Sequence, residues 1–399
     1  MGVLMFKISL LALNMFQLTI GHMASLNDIN LKNYSKVAIP YSEDPGKTVN
    51  VNVSMYILNI GSLDTAKMTF EIEMYFGMKW IDPRLAFKEY NNATYALVKG
   101  ETAYENIWIP DLFVRNMKHT EKSSFLKDLS GVMIYPDGIV SLSSRIRVVA
   151  HCEMDLLMFP LDSQSCNLMI ISYLYNTAVM KMFWAENPVV IDERRDGRET
   201  KLDTWMGFTL ERTLTTEDSY VYPISNLEFQ YMIATFVLKR QPQYFILRGF
   251  IPSSLLVCLT WASFWLPTSS FPARVALIVT SFLASIVLYQ GSTLHVHQMT
   301  VMQMFLLGNI AFIGLTLVEF LMAVKVDQNT KKKPQAISIK NEAYEEEQMN
   351  ESEHKRTPKP LKDDKILDNS VDKKARFVIP IIYIFYVGVF VVTILLNQT

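Results

Sequence analysis

Cys152 and Cys166 are two of only three cysteines in 399 residues, with thirteen residues between them and Phe159-Pro160-Leu161-Asp162 in the middle. Such a pair could clip a metal, cycle as a redox couple, close a covalent loop, or be two unrelated thiols. Metal binding wants further ligands at short spacing, and only His151 is nearby. A redox couple wants a much tighter pair. A second candidate is Leu294-His295-Val296-His297, whose histidines share a side in extended chain and have the spacing to bind zinc or sense protons. The soluble part offers no nucleophile–base pair and no metal-ligand cluster, so enzyme chemistry and a cofactor are not expected.

The elements that position these residues follow from composition. Charge is nearly balanced and half the residues are apolar, which excludes a charged disordered polymer and gives nothing for nucleic acid. From about residue 243 the chain turns strongly apolar. Runs at Phe245 to Pro267, Ala273 to Tyr289, Met299 to Val324 and Phe377 to Leu396 approach the roughly 20 residues a helix needs to cross hydrocarbon. Four membrane helices are expected. The start, Met1 to Lys7 followed by an apolar stretch to Ile20, reads as a secretory signal with cleavage near Gly21 to Ala24. Asn52 and Asn92 begin glycosylation tripeptides, and Lys331-Lys332-Lys333, Lys373-Lys374 and Arg376 flank the last two spans as cytoplasmic loops do. The soluble part is therefore read as extracellular, and an oxidising compartment makes Cys152 and Cys166 a disulfide. Closing a loop of that size removes about 3 kcal/mol of unfolded-chain entropy.

Alternation at Val49-Asn50-Val51-Asn52-Val53 and Phe70-Glu71-Ile72-Glu73-Met74 predicts strands, with turns at Asp44-Pro45-Gly46 and Tyr135-Pro136-Asp137-Gly138. The predicted fold is an extracellular all-β, immunoglobulin-like sandwich followed by a four-helix transmembrane bundle. The divisions are a signal peptide (1–24), sandwich (25–243), first three spans (244–326), a mostly disordered cytoplasmic loop (327–375), and the last span with a short tail (376–399).

Several motifs in order resemble the Cys-loop receptors, the pentameric ligand-gated ion channels. Trp80-Ile81-Asp82-Pro83-Arg84-Leu85 is similar to the family's W-x-D-P-R-L, Trp108-Ile109-Pro110-Asp111 to its W-x-P-D, and Cys152 to Cys166 to its C-x13-C. Arg240 precedes the first span, Pro252 sits within it, and Pro272-Ala273-Arg274-Val275 opens the second. The resemblance implies a ring-shaped homo- or hetero-pentamer in the plasma membrane, with the second helix around the pore and ligands held between subunits.

Along the second span, Ala276, Thr280, Leu283, Val287, Gln290 or Gly291, and Leu294 share one helical face. Rings of Leu283 and Val287 would gate by dewetting. Pro272-Ala273 stand where the family's cation channels carry a glutamate, the pattern of its anion-selective branch. Chloride is therefore expected to permeate, with Arg274 and the helix N-terminus leaving the inner mouth positive or neutral. The resemblance assigns Tyr75 to the complementary side of the ligand site and Tyr173 to the principal side. Phe229 takes the later aromatic place of the last loop, Tyr220 or Tyr222 the earlier one, Phe113 or Arg115 the loop after Trp108, and Ser143 is a further ligand-binding candidate. Aromatics there suit a cationic amine. Gly77 stands where glycine and GABA receptors carry an arginine for the ligand carboxylate, which argues against both amino acids and leaves the agonist open. An accessory, non-conducting subunit of a hetero-pentamer and a cation-permeable member with an atypical filter are the alternatives. For the loop, Phe159 and Pro160 are expected to face the linker after the pore helix, and Asp162 to pair with Arg240.

Overall fold

The computed structural model describes residues 23–24, 29, 31–44, 46–88, 93–124, 127–192, 194–195, 198–199, 204–205, 207–267, 270–292, 298–346 and 370–397. The leader through residue 22, Asn92, Leu294, His295 and His297 lie outside them. The chain divides into two compact units, one of 1–155 with 163–240, the other of 156–162 with 241–399. The expected boundary at 243 thus falls three residues earlier, and the tip of the disulfide loop belongs to the helical unit.

The first unit is two β-sheets. One holds β1 (Met23–Ala24), β2 (Val49–Asp64), β3 (Thr69–Ile81), β4 (Tyr95–Lys99), β6 (Met117–Lys122), β7 (Ser130–Ile134), β8 (Ile139–His151) and β10 (Met180–Ile191). Their order is β1-β4-β7-β8-β3-β2-β10, with β6 also on β8. The other holds β5 (Leu112–Val114), β9 (Ser163–Ser172), β13 (Thr204–Trp205), β14 (Phe208–Tyr222) and β15 (Leu227–Arg240), in the order β13-β14-β15-β9-β5. A small hairpin pairs β11 (Arg194–Arg195) with β12 (Arg198–Glu199). Alternation decides which faces meet. Val49, Val51, Val53, Met55 and Ile57 of β2 and Phe70, Ile72 and Met74 of β3 turn inward, as do Leu168, Ile170, Ala234 and Phe236 from the second sheet. Phe70 and Phe236 meet across the core with ring centres 6.3 Å apart. Cys152, just past β8, bonds to Cys166 on β9, which joins the two sheets covalently. Ala24 is buried and paired with Ala96, so the folded sheet includes the residues that the expected leader boundary at 24 would remove.

The second unit contains four helices long and apolar enough to cross a membrane: α2 (Gln243–Trp265), α3 (Phe271–Gly291), α4, whose apolar part is Val301–Gln328, and α5, whose apolar part is Val371–Leu396. A short α1 (Gly100–Asn106) belongs to the first unit. In α2 a wide π-turn at Ile246–Phe250 precedes Pro252, which has no N–H for the turn before it. The segment from 327, expected to be irregular, is helical through Glu346 as the continuation of α4.

Helix packing is set by apolar side chains and a few buried polar links. Val257, Ile278, Ile313, Phe320 and Tyr383 form the core. Asn309 donates to Ser253 Oγ (3.0 Å) and accepts from Tyr383 OH (3.2 Å), tying three helices by bonds that water cannot replace in hydrocarbon. Arg274 is 0% exposed and forks onto Asp372 of α5 at 2.8 and 3.3 Å, with its guanidinium 5.3 Å from the Phe320 ring. Glu319, beside Phe320, is also buried, with the Asp372 carboxyl and the Arg274 guanidinium as electrostatic neighbours.

Removing one partner of a buried ion pair strands the other. Asp372→Asn is therefore expected to destabilise the solubilised protein by about 3 kcal/mol, and Arg274→Met with Asp372→Leu to recover most of that. Thermal inactivation of the purified variants checks it; equal loss in single and double variants would sink the argument.

Candidate functional site

The motifs that could be read in the sequence build a frame behind the ligand face. Asp82 is fully buried and takes four hydrogen bonds from two residues: Arg84 gives its backbone N–H (3.2 Å), Nε (2.8 Å) and Nη2 (2.8 Å), and Tyr34 gives its hydroxyl (2.9 Å). Burial raises the Tyr34 phenol well above its ordinary pKa, so it stays a neutral donor. The same oxygen accepts the Trp108 backbone N–H at 2.9 Å. Gly138, at φ +83°, lies against the Asp82 carbonyl where a Cβ would stand 2.6 Å away.

Trp108 in turn sets the aromatic loop. Its indole N–H donates to Tyr175 OH at 3.0 Å. Three residues on, Asp111 accepts from Ser172 Oγ (2.5 Å) and the Leu174 N–H (2.7 Å), gripping the chain on both sides of Tyr173. Tyr173 is left 75% exposed, edge-on to Phe113 at 6.1 Å.

The expected ligand residues fall into two groups on two sheets. Phe113, Tyr173, Tyr220, Tyr222 and Phe229 belong to the β5-β9-β15-β14 side. Tyr220 packs edge-on against Tyr222 (5.2 Å), and Tyr222 against Phe229 (5.4 Å). Arg115 joins them: its Nη1 donates to Tyr231 OH (2.5 Å), its guanidinium lies 5.1 Å from that ring, and Tyr231 and Tyr222 share a 2.9 Å hydrogen bond. Tyr231 was missed by motif matching, yet it lies two residues from Phe229 on β15, where strand alternation could have found it. Tyr75 and Ser143 sit on β3 and β8 of the other sheet, with Tyr75 opposite Arg145 and Gly77 opposite Ser143. Tyr56 lies 6.3 Å from Tyr75 and was also missed. Arg145 forks onto Glu73 at 2.7 and 3.0 Å. Asn52 is an exposed position on β2.

The face of α3 turned away from its neighbours is Pro272, Ala273, Ala276, Val279, Thr280, Leu283, Val287 and Gln290, all exposed, while Ile278, Ser281 and Ser285 are buried behind it. Val279 was not among the residues expected there, and Leu294, which was, lies outside the described residues. The Thr280 hydroxyl proton goes to the Ala276 carbonyl at 2.7 Å, leaving oxygen lone pairs outward. Arg274, which opens the expected second span, is buried against Asp372 of α5.

Phe159 rests edge-on against Phe245 at 4.7 Å. The Leu157 and Phe159 carbonyls accept the N–H groups of Val301 and Met302 at 2.8 and 3.2 Å, at the start of α4. The loop tip thus caps two orphan donors of that helix. Pro160, Asp162 and the loop's other tip residues lie in this unit, whereas Arg240 ends the first, where its guanidinium stands 4.4 Å from the Phe208 ring.

Residues 24–242 match the family model described as the neurotransmitter-gated ion-channel ligand binding domain, and 250–359 match the transmembrane region of the same family. The chain belongs to the neurotransmitter-gated ion-channel family, a family of multi-pass membrane receptors with the ligand-binding domain outside the cell. It is 32% identical to the glycine receptor subunit beta-type 4 of Caenorhabditis elegans, over 63% of this chain and 50% of that protein. It is 30% identical to the gamma-aminobutyric acid receptor subunit gamma-4 of Gallus gallus, over 73% and 61%. With the pH-sensitive chloride channel 2 of Drosophila melanogaster it shares 29% over 68% and 52%. The chain thus spans about half to three fifths of the length of these curated relatives.

Burial, then the bond to Tyr222, pushes the Tyr231 phenol up to about 12. A raised pKa favours the protonated form, so its share of stability is intact below the ordinary value of 10.0 and is lost as pH climbs toward 12. Ligand responses between pH 6 and 9 should carry no step that Tyr231→Phe removes; a step lost in that variant would contradict the buried, neutral phenol.

Proposed function

We propose that this chain is a subunit of a ligand-gated ion channel, that a small molecule binds between neighbouring subunits, and that the pore it opens conducts chloride. The observation that carries the channel reading is the exposed stripe of α3. An eight-residue face of a membrane-length helix stays exposed within its own unit and bears no charged side chain. Around a central axis, Leu283 and Val287 would form a girdle that excludes water when closed. The split of the ligand residues between two sheets supports a shared site, because Tyr75 and Ser143 of one copy would face the aromatic group of the next. The agonist remains a small molecule of the class treated below, in a homo- or hetero-pentamer within lipid.

Anion selectivity rests on what faces the inner end of the stripe. Pro272 and Ala273 bring no acid, Arg274 is neutralised by Asp372, and the helix N-termini present the positive end of their dipoles. The loop tip supplies the coupling: covalently held in the sandwich by Cys152 and Cys166, it packs at Phe245 and Val301, the starts of the helices before and after the pore-forming one.

Reversal potentials of evoked currents are expected to follow chloride replacement and ignore sodium replacement; the opposite would refute anion permeation. Leu283→Thr should wet the girdle and leave the channel leaking without ligand. Phe159→Ala, at unchanged surface level, should raise the half-maximal ligand concentration several-fold, and an unaltered response would remove the loop from the coupling path.

A further inference from the structure

We propose that Arg115 anchors the ligand, and that the ligand carries an anionic group, a carboxylate or sulfonate, joined to a portion that lies on the rings of Tyr173, Phe113, Tyr222 and Phe229. This rests on the reading of that aromatic face as the ligand site, and it names the chemistry the site selects.

Arg115 immediately follows β5, and its backbone N–H still donates to the Met169 carbonyl of β9 at 2.7 Å. It is exposed, yet its guanidinium is not loose: Tyr231 OH takes one N–H, and the Tyr231 ring lies under the cation. Tyr231 is 6% exposed and remains a neutral phenol, so it orients the charge without cancelling it. Among the described residues no carboxylate stands within ion-pair distance of Arg115. Nearby acids are engaged elsewhere: Asp111 holds Ser172 and the Leu174 N–H, and Asp218, opposite Tyr231 on β14, accepts from the Ser219 N–H. Five N–H groups in a rigid fork, one of them spent on Tyr231, leave a bidentate donor for an anion.

The other half of the site does not duplicate this. Gly77 has no side chain, and the Ser54 hydroxyl fills the place where its Cβ would stand, 2.5 Å away. Arg145, beside Tyr75, is committed to Glu73. An amine without an anionic group would meet like charge from Arg115 at the very rings that would otherwise attract it. The aromatic cluster, which by composition alone suits a cationic amine, is therefore set up in this fold for the opposite charge.

The test uses the full chain expressed in cells, with currents recorded, and the purified protein, with melting temperature recorded. Taurine, β-alanine and benzoate are the anion-bearing probes; tyramine and choline are the cations without an anion. At least one anion-bearing probe is expected to evoke current or raise the melting temperature, and tyramine and choline to do neither. Arg115→Gln should weaken the active probe about 10- to 100-fold, with Arg115→Lys keeping part of the response. Tyr173→Ala should weaken it as well. If Tyr173→Ala weakens the probe while Arg115→Gln does not, the site stands and the anionic anchor is overturned. If neither variant matters, the reading of the face as the ligand site fails, and this inference with it. Silence of every anion-bearing probe in both assays, or a stronger effect of tyramine or choline, also overturns it.

Discussion

The buried carboxylate of Asp82 is the constraint on which the ligand-binding unit depends. A charge with no exposed surface is tolerated only when its lone pairs are filled, and here they are filled by Arg84 and Tyr34. Satisfying it fixes Tyr34, Tyr34 fixes the Trp108 backbone, and Trp108 with Asp111 fixes the chain around Tyr173. An apolar core alone tolerates small slides between sheets. A chain of directional bonds does not, and it carries position from the interior out to an exposed ring.

Much of this was legible in the sequence because its signals are local. Alternation marked β2 and β3, hydropathy marked four spans, and the signature motifs marked the corners where buried polar groups need partners. Motif spacing reached Tyr173, just past β9, and Phe229 on the neighbouring β15. Tyr231 and Tyr56 were not reached, because what makes them part of the site is cross-strand register, set by pairings distant in sequence. The partner of Arg274 was out of reach for a related reason. Helical periodicity places a residue on a face, but only the arrival of Asp372, 98 residues later, turns that guanidinium inward. The continuation of α4 to Glu346 was hidden by a polar, proline-punctuated composition that lacks an apolar stripe.

The loop between Cys152 and Cys166 shows how a covalent constraint and a packing surface can be separated along fifteen residues. Its ends are joined across the sandwich, and Asp155 N–H and carbonyl are both held by the Gln164 amide, at 3.1 and 2.6 Å. Its middle packs as part of the helical unit, giving carbonyls to the first turn of α4 and a ring to Phe245.

The pairing of Arg274 with Asp372 also bears on how the chain is made. α3 leaves the ribosome long before the last span, and until α5 docks the guanidinium has the Phe320 ring and the buried Glu319 of α4 beside it, but not the Asp372 fork. A chain cut short within the intervening segment would keep three apolar spans and lose the shortest ion pair of the bundle core.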